Sequence, residues 1–168
     1  MTATAIDLLA LAVVAAALLA AGWSDLRHYL IPNRYPAAIA AAYLIPAVHQ
    51  PPSQSLWALG IGVGFFAGGA ALFASRVMGG GDVKLMAATA LWSGPGKVLP
   101  FIEVIALAGA ALALVWLSPA RRLLPEAPVV PGEHSAEDGM RQRLRAPVPY
   151  GIAIAAGGLY LAASRALA

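Results

Sequence analysis

The chain is predicted to be an all-α, polytopic membrane protein with about six transmembrane helices in one bundle. Of its 168 residues 60% are hydrophobic and 11% charged, with a mean hydropathy of +0.74, which is too apolar for a water-soluble domain of this size. The apolar residues also fall into six runs separated by polar or Pro- and Gly-rich breaks. At roughly 20 residues for each crossing of a hydrocarbon core of about 30 Å, such runs use up most of the chain. Residues 1–168 therefore read as a single membrane-embedded domain.

Residues 6–23 are almost entirely Leu, Ala and Val and stop at the charged run Asp25-Leu26-Arg27-His28, which makes them the first span. Residues 1–7 carry no Lys or Arg, so the positive n-region of a secretory signal is missing and this helix is expected to stay in the mature protein. Residues 35–48 form a short second segment, closed by His49-Gln50-Pro51-Pro52, where consecutive prolines cannot continue a helix. The third, 56–75, carries Gly60, Gly62, Gly64, Gly68 and Gly69, which suit close helix packing in lipid better than a substrate groove. The fourth, 83–92, is brief: it opens directly from Gly79-Gly80-Gly81-Asp82 and ends at the turn Ser93-Gly94-Pro95-Gly96-Lys97. Residues 98–117 make the fifth span, in which Glu103 is the one acid well inside a span and is read as a structural hydrogen-bonding group. Residues 118–147, rich in Pro, Glu and Arg, are expected to form a flexible cytoplasmic loop, and 148–164 the sixth span.

Charge supplies the orientation. Nine of the eleven Lys and Arg fall in alternate loops, at Arg27, Arg34, Arg76, Lys84, Arg121, Arg122, Arg141, Arg143 and Arg145, against Lys97 and Arg165 on the other side. Loops rich in basic residues stay cytoplasmic, so the chain is expected in the inner (plasma) membrane with Asp25 and Asp82 at the same cytoplasmic face. The net charge of +3 reads as topology and gives no support to nucleic-acid binding; three arginines in 140–145 suit an inner-leaflet anchor. The sequence has no cysteine and no clustered histidines, so no thiol nucleophile, disulfide or cysteine-ligated metal enters, and no cofactor is expected.

Asp25 and Asp82 lie far apart in sequence but end up beside the same leaflet in this topology. By position alone Asp25 is an ordinary juxtamembrane charge and Asp82 an N-cap of the fourth helix. The three glycines before Asp82 point further: they strip side chains from its approach, open backbone conformations closed to other residues and let an extended peptide come near. Two carboxylates forced together share a proton, and such a pair activates water while protonating a leaving group.

Gly79-Gly80-Gly81-Asp82-Val83-Lys84-Leu85 resembles the GxGD-x-K motif of the type IV prepilin peptidases, and Asp25 with Ile31-Pro32-Asn33 resembles their first block, an aspartate followed closely by IPN. Pro149-Tyr150-Gly151 is similar to the proline-containing opening of that family's last helix. The resemblance implies a membrane aspartic endopeptidase that removes the short basic leader of a pilin-like precursor, cutting after a glycine at the cytoplasmic face. It also implies that Asp25 and Asp82 are the catalytic pair, with Gly79, Gly80, Gly81, Lys84, Pro32 and Asn33 binding substrate or shaping the loop. Larger members carry paired CxxC motifs associated with N-methylation, absent here, so methyl transfer is not expected. The compact, cysteine-free form is most similar to the peptidases of tight-adherence (Flp) pilus systems, the TadV or CpaA type, with archaeal preflagellin peptidases nearby.

Three lesser readings complete the expectation. Lys84 stands two positions from Asp82, and helix residues so spaced do not face each other, so it orients the loop or reaches lipid headgroups instead. His28 reads as a solvated interface residue. The rival functions are a GxGD protease cutting other substrates within the bilayer, and a small proton- or cation-coupled transporter or pilus-assembly subunit.

Overall fold

A computed structural model describes residues 5–119 and 148–167. Among them the fold is all-α, as expected, and every apolar run of the sequence is helical. The helices are α1 (Ala5–His28), α2 (Arg34–Ala42), α3 (Leu44–His49), α4 (Pro52–Ala74), α5 (Gly80–Ala90), α6 (Val98–Leu117) and α7 (Gly151–Ala166), with a 3-10 turn at Pro95–Lys97 before α6. The flexible loop expected over 118–147 falls, beyond its first two residues, outside the described residues.

Three helices are long and apolar enough to cross a membrane, at Ala5–His28, Pro52–Ala74 and Pro95–Leu117. The other apolar runs are shorter helices, and the reasons are local. The second run is split because Pro46 has no N–H to offer the carbonyl of Ala42, so α2 stops and α3 restarts after Tyr43. Gln50 then clamps the corner into α4, its amide donating to the hydroxyls of Tyr43 at 2.6 Å and Ser55 at 3.0 Å. With 11 residues, α5 is about 16 Å long and cannot cross a core of about 30 Å by itself.

Two helices end on residues the sequence does not mark as breakers. After α1, Tyr29 takes φ 53°, and Ser24 Oγ donates to the Leu30 carbonyl at 2.8 Å to hold the reversal. After α4, Arg76 takes φ 58°, with Arg76 N–H on the Phe73 carbonyl and Val77 N–H on that of Leu72, both 2.9 Å. That pair of bonds is a Schellman cap built on an arginine where glycine is usual.

The bundle is organised around α7, which packs between α1 and α6 and also touches α5. Gly157 and Gly158 make this possible: a Cβ at 157 would lie 2.6 Å from Ile105 of α6, and one at 158 would lie 2.6 Å from Leu18 of α1 and 2.7 Å from Thr89 of α5. On the other side α5 packs against α4 and α2. Gly62 and Gly69 of α4 accept Leu91, the residue that caps α5, and Val83 of α5, and Phe65 of α4 meets Phe101 of α6 at 5.6 Å between rings. Leu18, Ile39, Leu85, Phe101, Ile154 and Leu161 are fully buried at the centre, whereas Leu9, Leu59, Val63, Leu107 and Leu114 point outward. Such an apolar exterior suits contact with lipid.

Candidate active site

Asp25 sits in the last turn of α1 and Asp82 in the first turn of α5, and these two helix ends meet at one end of the bundle. Asp25 is only 7% exposed, and its Oδ2 accepts the backbone N–H of Gly151, the first residue of α7, at 2.7 Å. Ile31, delivered by the reversal at Tyr29, stands between the start of α5 and the start of α7. A Cβ on Gly81 would lie 3.0 Å from Ile31 Cβ, and one on Gly151 would lie 2.9 Å from Ile31 Cδ1. Ile31 is thus a spacer gripped by a glycine on either side.

Asp82 is not the N-cap of α5. The cap is Gly79, in extended conformation, which puts Asp82 at the third helical position, where a carboxylate can reach back to the cap's own N–H. Its carboxylate accepts that hydrogen bond from Gly79, while Oδ1 is buried with no hydrogen-bond partner among the described residues. Burial first, and then repulsion from Asp25, push Asp82 from the ordinary 3.8 up to about 7, against the opposing pull of the Gly79 N–H. Asp25 is thus near enough to repel Asp82, and Asp82 is disposed to hold a proton near neutrality.

The glycine run works differently from expectation. None of Gly79, Gly80 and Gly81 has a positive φ, so special backbone conformations are not what glycine provides. Close approach is: a Cβ at 79 would sit 3.0 Å from Asp82 Oδ2, and Gly81 lies against Ile31, while Gly80 faces Phe73 at an ordinary 3.4 Å. Lys84 does not pair with Asp82. Its Nζ donates to Asn33 Oδ1 at 2.9 Å, fastening the IPN turn to α5. The carbonyl of Pro32 accepts the Tyr35 N–H at 3.1 Å, which starts α2 on the other side of that turn.

His28 is exposed, as expected, and so is Glu103. The structural hydrogen bond expected for Glu103 is not among those of the described residues, because its position on α6 faces away from the bundle, at the side opposite Phe101 and Ile105. The glycines of α4 divide into two sets. Gly62 and Gly69 pack on α5, but Gly60, Gly64 and Gly68 have nothing within reach of a Cβ, and the last two line an apolar hollow of about 480 Å³ with Phe65 and Met86. Sequence reasoning placed neither Gly151 nor Ile31 in the site. The signal lay in Pro149-Tyr150-Gly151, a proline and glycine at the very start of an apolar helix, where a free N–H is available to an anion.

Among known proteins, the sequence model of the type IV leader peptidase family matches residues 12–114, a stretch that includes both aspartates. The chain is also 32% identical over 102 residues to a prepilin leader peptidase/N-methyltransferase of Xanthomonas campestris pv. campestris. That match covers 55% of this chain and 35% of the relative, so the chain spans about a third of the relative's length. No solved structure matches the chain significantly.

Proposed function

Because the chain belongs to the type IV leader peptidase family, we propose that it is a membrane aspartic endopeptidase that removes the leader of a type IV, Flp-like prepilin, with Asp25 and Asp82 as its catalytic pair. The observation that carries this reading is that Ile31 packs against both Gly81, next to Asp82, and Gly151, whose N–H binds Asp25, and that burial and the nearby Asp25 raise Asp82 to about 7. Asp25 and Asp82 lie at helix ends and not mid-helix, which supports a cut at the membrane edge, beside the substrate's own span, over a cut within the bilayer. The charge asymmetry supports a multi-pass inner-membrane orientation with the site toward the cytoplasm. Gly79, Gly81, Pro32, Asn33 and Lys84 shape the loop beside the pair in this reading, since their contacts are to one another's segments or to the site. Leader removal is the activity proposed, without methyl transfer: this sequence lacks the paired CxxC segment associated with that reaction.

Co-expression with a pilin precursor tests the proposal. Asp25→Asn and Asp82→Asn should each insert into the membrane at wild-type levels and leave the precursor at full length, whereas the wild type shortens it. Normal shortening by either variant overturns the assignment, and so does a wild type that transports ions in an aspartate-dependent way without releasing any peptide.

A further inference from the structure

We propose that Gly151 is a positioning residue of the aspartate pair: its backbone N–H holds Asp25 as the carboxylate that takes the proton from water, and Asp82 is the member that carries a proton into the reaction. The inference rests on the peptidase reading and assigns the two roles within it. The hydrogen bond from Gly151 to Asp25 Oδ2 is 2.7 Å, short enough for a charge-assisted bond, and it comes from the first residue of a 16-residue helix whose peptide dipoles also favour an anion at that end. Glycine is what lets the N–H come so close. A Cβ at 151 would lie 2.8 Å from Asp25 Oδ2 and 3.0 Å from Asp25 Cβ, so any other residue would push the carboxylate off its seat.

Asp82 also accepts one backbone N–H, that of Gly79, but its Oδ1 is buried and has no partner among the described residues, which is costly for an anion and natural for a group that shares a proton with a substrate oxygen. The cations at this end do not alter the contrast. Arg27, lying over the ring of Trp23 at 4.4 Å, Arg34, donating to Tyr35 at 3.0 Å, and His28 are exposed, and the ammonium of Lys84 is on Asn33. The rise of Asp82 to about 7 agrees with a proton resting there near neutrality.

In the reaction, water gives a proton to Asp25 as its oxygen bonds to the scissile carbonyl carbon, and Asp82 gives its proton to the carbonyl oxygen, leaving a neutral gem-diol. Collapse of the diol returns a hydroxyl proton to Asp82 and breaks the C–N bond, and the amine leaves with the proton held by Asp25. Both carboxyls end as they began.

Difference infrared spectroscopy of the full chain in membranes tests this, in a Glu103→Gln background so that this remote acid contributes nothing. The protonated-carboxyl band present near neutral pH should vanish in Asp82→Asn. It should return, now from Asp25, when Gly151→Ala is added to Asp82→Asn. Where the added methyl group impairs folding, Ile31→Val removes the clash with Ile31 Cδ1 and leaves the one with Asp25. In the otherwise wild-type chain the Gly151→Ala, Ile31→Val pair should lower kcat about 10- to 100-fold with little change in KM. Should the wild type remove no leader, the peptidase reading falls. Should it remove leader while Asp82→Asn keeps the band, or should the band fail to return in folded Gly151→Ala protein, the peptidase reading stands and this division of roles falls.

Discussion

Asp82 is the residue at which the chemistry of this protein can be measured most directly. Its carboxyl binds a proton more tightly folded than unfolded, with the ordinary value of 3.8 raised to about 7. Between those two values the folded state holds more protons, so stability falls as pH rises through that window and is flat above it. The melting temperature in detergent should therefore climb as pH is lowered from about 7 toward about 4, and Asp82→Asn should reduce that climb. An unchanged climb in the variant would show that Asp82 is ionised in the fold. At this scale the sequence was informative about which residue types matter and silent about their partners. The two acids and the glycine run stood out in the sequence itself, and Asn33 and Lys84 through the motifs they resemble. That Lys84 reaches Asn33, 51 positions away, and that Gly151 reaches Asp25, 126 positions away, depends on how helices distant in sequence pack.

At the scale of the element, glycine is the residue whose meaning changes most with its surroundings. Gly158 of α7 is pinned between Leu18 and Thr89, whereas Gly64 of α4 has open space where a Cβ would be. Gly158→Ala should destabilise by about 1–3 kcal/mol through overpacking. Gly64→Ala should be neutral or gain up to about 1 kcal/mol from helix propensity. Thermal or denaturant unfolding of the two variants side by side checks the contrast, and equal losses would contradict it. The sequence shows a glycine-rich helix in both places without saying which glycines are pressed. Helix existence was legible because the apolar residues fall into runs bounded by polar or Pro- and Gly-rich breaks, and so was the stop before α4, where two prolines stand together. The ends at Tyr29 and Arg76 were not legible, because a left-handed residue there is imposed by the bonds around it and not by a glycine in the sequence.

For the whole molecule the question is which way it faces. The lack of cysteine makes the wild-type chain a clean background for labelling. A single cysteine at Arg76 should react with an impermeant reagent only from the cytoplasmic side, and one at His49 only from the opposite side; both positions are exposed. The reverse pattern would place the aspartates outside. The two cations assigned to the outer end bear on the same question. Lys97 Nζ donates to the carbonyl and hydroxyl of Ser164, both at 2.9 Å, and Arg165 Nε donates to the Trp92 carbonyl at 2.9 Å with its guanidinium 5.5 Å over the Trp92 ring. Both are spent on fastening the tail of α7. Among the described residues, in the proposed orientation, an anionic leaflet thus finds its adhesive rim beside Asp25 and Asp82, and a precursor with a basic leader, drawn to that same leaflet, arrives already alongside the groups that would cut it.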